Sequence, residues 1–101
     1  MSDHIFQSNG TYLGFIQNDN IFSRDGLYLG WRERDFIWDS VGKFRGNLIE
    51  ISGHKYIVLN QLQIPPIPRI PKVAPMSFTA PPPPANISPI ALPVGYVDGF
   101  R

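Results

Sequence analysis

Residues 18–40, "NDNIFSRDGLYLGWRERDFIWDS", place an aromatic-rich apolar word on each side of an Asp-Gly pair. Nearly the same wording recurs at a fixed spacing of sixteen residues: "IFQSNGTYLGFI" at 5–16, "IFSRDGLYLGWR" at 21–32 and "IWDSVGKFRGNL" at 37–48. The shared frame is Ile-aromatic-x-x-x-Gly-x-aromatic-x-Gly. It is carried by Ile5, Ile21 and Ile37; Phe6, Phe22 and Trp38; Gly10, Gly26 and Gly42; Tyr12, Tyr28 and Phe44; and Gly14, Gly30 and Gly46. A period of this kind marks a repeated supersecondary unit. A degenerate fourth copy is expected at "LIEISGHKYIVL", residues 48–59, with Gly53 as its turn.

Each copy reads as a β-hairpin. β-Branched and aromatic residues flank Asn9-Gly10 and Asp25-Gly26, pairs that tolerate positive φ in tight turns. In the third copy Val41 resists positive φ, so a bulged loop with only Gly42 in the left-handed region is expected there. The links "QNDN" and "RERD" are short and polar, and join the hairpins into an antiparallel meander. Glycine recurs too often for helix. Alternation along the strands separates Ile21 from Phe22, and Tyr12, Tyr28 and Phe44 from Leu13, Phe15, Leu29 and Trp31. Both faces are then apolar, and a sixty-residue body buries only about 60% of its unfolded surface. A second layer is required, from the tail, another copy of the chain or the hairpins themselves. Gly14, Gly30 and Gly46 read as sites of close packing where strands cross.

Composition divides the chain into a β-hairpin repeat domain, 1–60, and a proline-rich tail, 61–101: all eleven prolines lie from Pro65 onward, and seven of the nine glycines precede Asn60. The tail opens with "IPPIPRIPKVAP", residues 64–75, which has a period of three. Ile64, Ile67, Ile70 and Val73 share one register, Pro65, Pro68 and Pro71 the next, and Pro66, Arg69 and Lys72 the last. A polyproline II helix has three residues per turn, so these registers become an aliphatic, a proline and a largely polar face. The aliphatic face suits docking on the uncovered sheet, within one chain or between subunits. PxxP spacing also suits an SH3-like partner, but Arg69 and Lys72 are not at the flanking positions of basic-anchored ligands. Residues 76–101 are read as an extended segment with a stiff spacer at Pro81, Pro82, Pro83 and Pro84 and apolar residues of neither period.

Nine Lys and Arg against eight Asp and Glu leave no field that would draw the chain to nucleic acid or an anionic membrane. No apolar run is long enough for a membrane helix, and the beginning "MSDHIFQSNG" lacks the pattern of a secretory signal, so the cytoplasm is the expected compartment. With no cysteine there is no disulfide or thiolate chemistry. His4 and His54 are the only histidines and share no metal-ligand spacing; Asp19, Asp25 and Asp39 fall in turns, where carboxylates cap backbone amides. No phosphate-loop, dinucleotide or nucleophile-elbow pattern occurs. No catalytic residue, metal or cofactor is expected.

The sixteen-residue frame followed by the proline-isoleucine rod resembles the four-fold beta flower family of small bacterial proteins, over residues 4 to about 75. The resemblance implies a compact arrangement of hairpins with fourfold character, within one chain or among four, and no established activity. The third copy departs from the pattern at Val41, Arg45 and Asn47. The expected role is a non-enzymatic structural, self-assembly or protein-interaction module. A homo-oligomer is expected, with a tetramer among its forms and a further protein partner at the tail. The alternative is a glycan- or peptide-binding module using exposed aromatics. The candidate surface comprises Tyr12, Tyr28, Trp31, Trp38, Ile64, Ile67 and Ile70.

Overall fold

The computed structural model describes residues 3–72, 75 and 80–100, and among them holds eight strands and no helix. They are β1 Asp3–Phe6, β2 Tyr12–Gln17, β3 Asn20–Ser23, β4 Tyr28–Glu33, β5 Phe36–Asp39, β6 Phe44–Ile51, β7 His54–Asn60 and β8 Tyr96–Asp98. Each pairs antiparallel with the next, and β1 also pairs in parallel with β7, through Ile5 with Lys55 and Phe6 with Tyr56. Seven strands thus close on themselves, and β8 is added to β7 further along the same edge.

The tight turns are distributed differently from the sequence expectation. At all three repeat turns only the glycine has positive φ, 90° at Gly10, 87° at Gly26 and 89° at Gly42. The Gly10 amide bonds the Gln7 carbonyl and the Gln7 amide bonds the Thr11 carbonyl, and the same pair of bonds recurs at Ser23 and at Asp39. Every repeat turn is therefore the bulged kind expected only at Val41. Turns with two successive positive φ values lie in the links instead, at Asn18 and Asp19 (53° and 63°) and at Ser52 and Gly53 (52° and 81°). Gly53 consequently belongs to the β6–β7 link, and the expected fourth copy around it is not a repeat unit.

The true fourth hairpin is split. Its first strand is β7 and its second is β8, contributed by the tail: Leu59 opposes Val97, and the Gly99 amide bonds the Ile57 carbonyl at 3.0 Å. Ile57 takes the place that Ile5, Ile21 and Ile37 hold in the other hairpins, and the four are buried in one cluster with Ile16. Burying each contributes roughly 1.5–3 kcal/mol. The fourfold character thus resides within one chain. Its sheet thus takes a strand, β8, from beyond residue 60.

The glycines after the aromatics mark the seams between hairpins. A Cβ on Gly14 would run into the Phe22 carbonyl oxygen, on Gly30 into that of Trp38 and on Gly46 into that of Val58. In each case the obstacle is the residue after the core isoleucine of the next hairpin, so one steric rule repeats around the barrel. Ile21 joins the isoleucine cluster, whereas Phe22, equally buried, stacks on Phe15, as alternation requires. The aromatic side is partly covered by the tail, since Ile87, Ile90 and Leu92 pack against Phe6, Tyr12, Tyr56 and Val58.

The beginning of the tail turns the opposite way from the expectation. Ile64, Ile67 and Ile70 are 90%, 86% and 88% exposed, whereas Pro66 is half-buried. In the register expected to be polar, Arg69 and Lys72 are exposed, and half-buried positions recur further on at Pro75, Pro81, Pro84, Ile87 and Ile90, with Ala80 and Leu92 half-buried outside it. Val73, the expected fourth member of the aliphatic stripe, lies outside the described residues.

Candidate interaction surface

The tail forms a belt attached at the third and first hairpin turns, and its attachment follows from specific groups. The Arg69 amide bonds the Gly42 carbonyl at 2.8 Å, and the Ile87 amide bonds that of Gly10 at 3.0 Å. A Cβ on Gly42 would meet the Arg69 carbonyl oxygen and one on Gly10 that of Ile87, so these glycines admit the belt as well as forming the turns. The Ile90 amide adds a bond of 2.7 Å to the Ser8 carbonyl.

At the β4–β5 seam the belt is fastened by charge. Trp31 and Trp38 oppose one another in the ladder, and both are 1% exposed. The Arg69 guanidinium lies 5.3 Å from the Trp38 ring centroid and the Lys72 ammonium 5.1 Å from that of Trp31. Glu33 ties the group together: it accepts from Trp31 Nε1 at 3.1 Å, pairs with Arg69 at 2.9 Å and lies 3.8 Å from Lys72. These cations read as solvated in the sequence; they are exposed, yet each also reaches Glu33 and an indole ring. With Arg69 and Lys72 engaged by Glu33 and the indoles, Ile64, Ile67 and Ile70 stand out into solvent.

The candidate residues therefore separate. Tyr12 is 2% exposed and, like Trp31 and Trp38, is core. Tyr28 is half-buried, with a buried hydroxyl, and packs against the Trp31 and Trp38 cluster. Burial pushes the phenols of both Tyr12 and Tyr28 above the ordinary tyrosine range, with Arg24 opposing the shift at Tyr12. The expected platform of exposed aromatics is thus absent at Tyr12, Trp31 and Trp38, whose apolar area is spent on the seams and belt. Ile64, Ile67 and Ile70 alone present a continuous apolar stripe, with half-buried to exposed Phe36 across a groove from Ile67.

The two histidines are part of the packing. Tyr12 Oη and His4 Nδ1 lie within hydrogen-bonding distance at 3.2 Å, and His54 meets the edge of Phe6 at 5.4 Å. His54 also borders a groove of about 510 Å³ between the β6–β7 link and residues 86–90 of the belt. Among the described residues no group of histidines and carboxylates could hold a metal ion.

Two functional groups were missed in the sequence. Asp98 accepts from the Ser8 amide at 2.8 Å and its hydroxyl at 2.7 Å, locking β8 to the first turn. Arg45, which interrupts the third repeat, reaches buried Asp39 at 2.9 Å and lies 5.5 Å from the Phe100 ring centroid. The signal was present at "GYVDGF", residues 95–100, which repeats the Gly-x-apolar-x-Gly half of the frame after a long interruption.

A closed all-β barrel of four hairpins, one split by a belt that returns to complete it, defines the class of protein. The model of the 4-fold beta flower protein family matches residues 1–92, and the chain belongs to that family. Comparison with curated proteins and with solved structures gave no match.

Proposed function

We propose that the chain is a non-enzymatic interaction module that self-associates through the outer face of its belt. The observation that supports this is the exposure of Ile64, Ile67 and Ile70 on a segment whose opposite side is fastened by Glu33 and Gly42. An unanchored tail would bury such residues by collapse; this one holds them out. The finer picture belongs to the same proposal: hairpins joined as a meander, and a belt with three residues per turn, for which the spacing of half-buried positions speaks.

Magnitudes set the strength of association. Burying three isoleucines from each of two copies yields roughly 9–18 kcal/mol before an association cost of about 4–15 kcal/mol. The stripe alone therefore supports a weak, concentration-dependent complex. Sedimentation velocity from micromolar to millimolar concentration tests this, with Ile67→Ser and Ile70→Ser combined. The wild type is expected to grow in mass with concentration and the double variant to stay monomeric; identical behaviour sinks the proposal. The exposed Pro65, Pro68 and Pro71 beside the stripe favour one further reading, a partner with a polyproline-binding groove.

A further inference from the structure

Residues 5–60 close a barrel without β8, because β1 pairs directly with β7. The position occupied by β8 is therefore a preformed slot on the β7 edge, with walls that belong to the body of the chain. Val58, Leu59 and Asn60 supply the ladder, and the Ile57 carbonyl receives the Gly99 amide. Ser8 clamps Asp98 through two hydrogen bonds, and Gln7 Nε2 donates to the Phe100 carbonyl at 3.0 Å. Arg45 covers the Phe100 ring, and no side chain fits at Gly99, where a Cβ would meet the Arg45 carbonyl oxygen and Ile57 Cγ2. The slot thus reads an extended segment of the form aromatic-x-Asp-Gly-aromatic, the logic of strand addition at a sheet edge.

The other three hairpins cannot open in this way, since their strands are joined by residues 7–11, 24–27 and 40–43. Only the fourth is joined by a long segment, residues 61–95. We propose that the slot accepts residues 95–100 of a second copy, so that two chains exchange their C-terminal segments and complete each other's fourth hairpin. This deepens the self-association reading and rests on it, but uses a different surface from the isoleucine stripe. The contacts in the exchanged and closed forms are the same, so closure within one chain wins below its effective concentration, which the anchorage of the belt at Gly42, Gly10 and Ser8 raises above the roughly millimolar value of a free flexible connection. Exchange takes over above that concentration, or when a chain's own segment is disabled.

Two full-length variants test this in an Ile67→Ser, Ile70→Ser background, which silences the stripe. Gly99→Val disables the segment and leaves the slot; Ser8→Asp sets a carboxylate against Asp98, disabling the slot and leaving the segment. Each alone is expected to sediment as a monomer at tens of micromolar, and an equimolar mixture with one variant labelled as a 1:1 heterodimer. Two folded variants that do not associate when mixed overturn the exchange, while leaving the stripe reading to its own experiment. Should Gly99→Val not fold, Asp98→Ala replaces it. Should neither fold, the wild type is refolded with a fluorescent peptide of residues 93–101. Incorporation that is lost with an Asp98→Ala peptide supports the slot, and no incorporation at millimolar peptide overturns it.

Discussion

Glycine carries two distinct burdens in this chain, and substitution separates them. At Gly30 a Cβ meets the Trp38 backbone of the next hairpin, which cannot move without opening the seam. At Gly53 nothing lies within 4 Å of the added atom, and only the φ of +81° resists it. Gly30→Ala is expected to cost about 3 kcal/mol or more by overpacking, and Gly53→Ala about 1 kcal/mol by left-handed strain. Urea denaturation of the two variants checks the order; equal costs would contradict the seam. The frame of the sequence made Gly30 legible as a packing site, but it could not separate Gly53 from a repeat turn. That distinction depends on which carbonyl each turn amide reaches.

Tyr12 and Tyr28 give a further residue-scale expectation. Their folded pKa values lie above the ordinary tyrosine value near 10, because burial disfavours the phenolate. Between the unfolded and folded values the unfolded chain has released protons that the folded chain keeps. Stability is therefore intact below pH about 10 and falls as pH rises through that window. Alkaline titration at 295 nm should show Tyr12 and Tyr28 ionising late and together with loss of structure. Early ionisation of Tyr12 and Tyr28 in a still-folded chain would contradict their burial.

The belt is an element with two chemically different sides, and each has its own test. Its inner attachment at Glu33 is half-exposed, so Glu33→Gln should cost at most about 1 kcal/mol after screening by solvent. That corresponds to a fall in melting temperature of about 4–8 °C in a domain this small. High salt should reproduce part of the loss, with the Trp31 and Trp38 fluorescence moving to the red as the cations lift away. Unchanged melting and fluorescence would show that Arg69 and Lys72 do not hold the belt. On the outer side, Ile67→Ser with Ile70→Ser should change monomer stability by less than about 0.5 kcal/mol, as for exposed positions generally. The period of three in the sequence separated the isoleucines from the two cations along this element. Which face turns inward was hidden, because apolar character argued for the isoleucines, whereas the receiving surface is two indoles and a carboxylate suited to cations.

For the molecule as a whole, hairpins of period sixteen and an all-β class were legible because local turn chemistry and strand alternation repeat three times over. The fourth hairpin was not, because its halves are separated by residues 61–95 and its second half keeps only the Gly-x-apolar-x-Gly part of the frame. The irregular third copy acquires a reason at this scale. Arg45 takes the place of a leucine in the repeat and bridges Asp39 to the aromatic ring that follows β8. A chain ending before residue 95 would lack β8 and its clamp on Ser8. The completed fourth hairpin is tested most directly by amide hydrogen exchange in dilute wild-type protein and in Asp98→Ala, followed by NMR. The Gly99 and Ser8 amides, bonded to the Ile57 carbonyl and the Asp98 carboxylate, should be protected in the wild type, with Ser8 losing protection in the variant. Exchange of both amides at the rate of an unstructured chain in the wild type would contradict the split fourth hairpin.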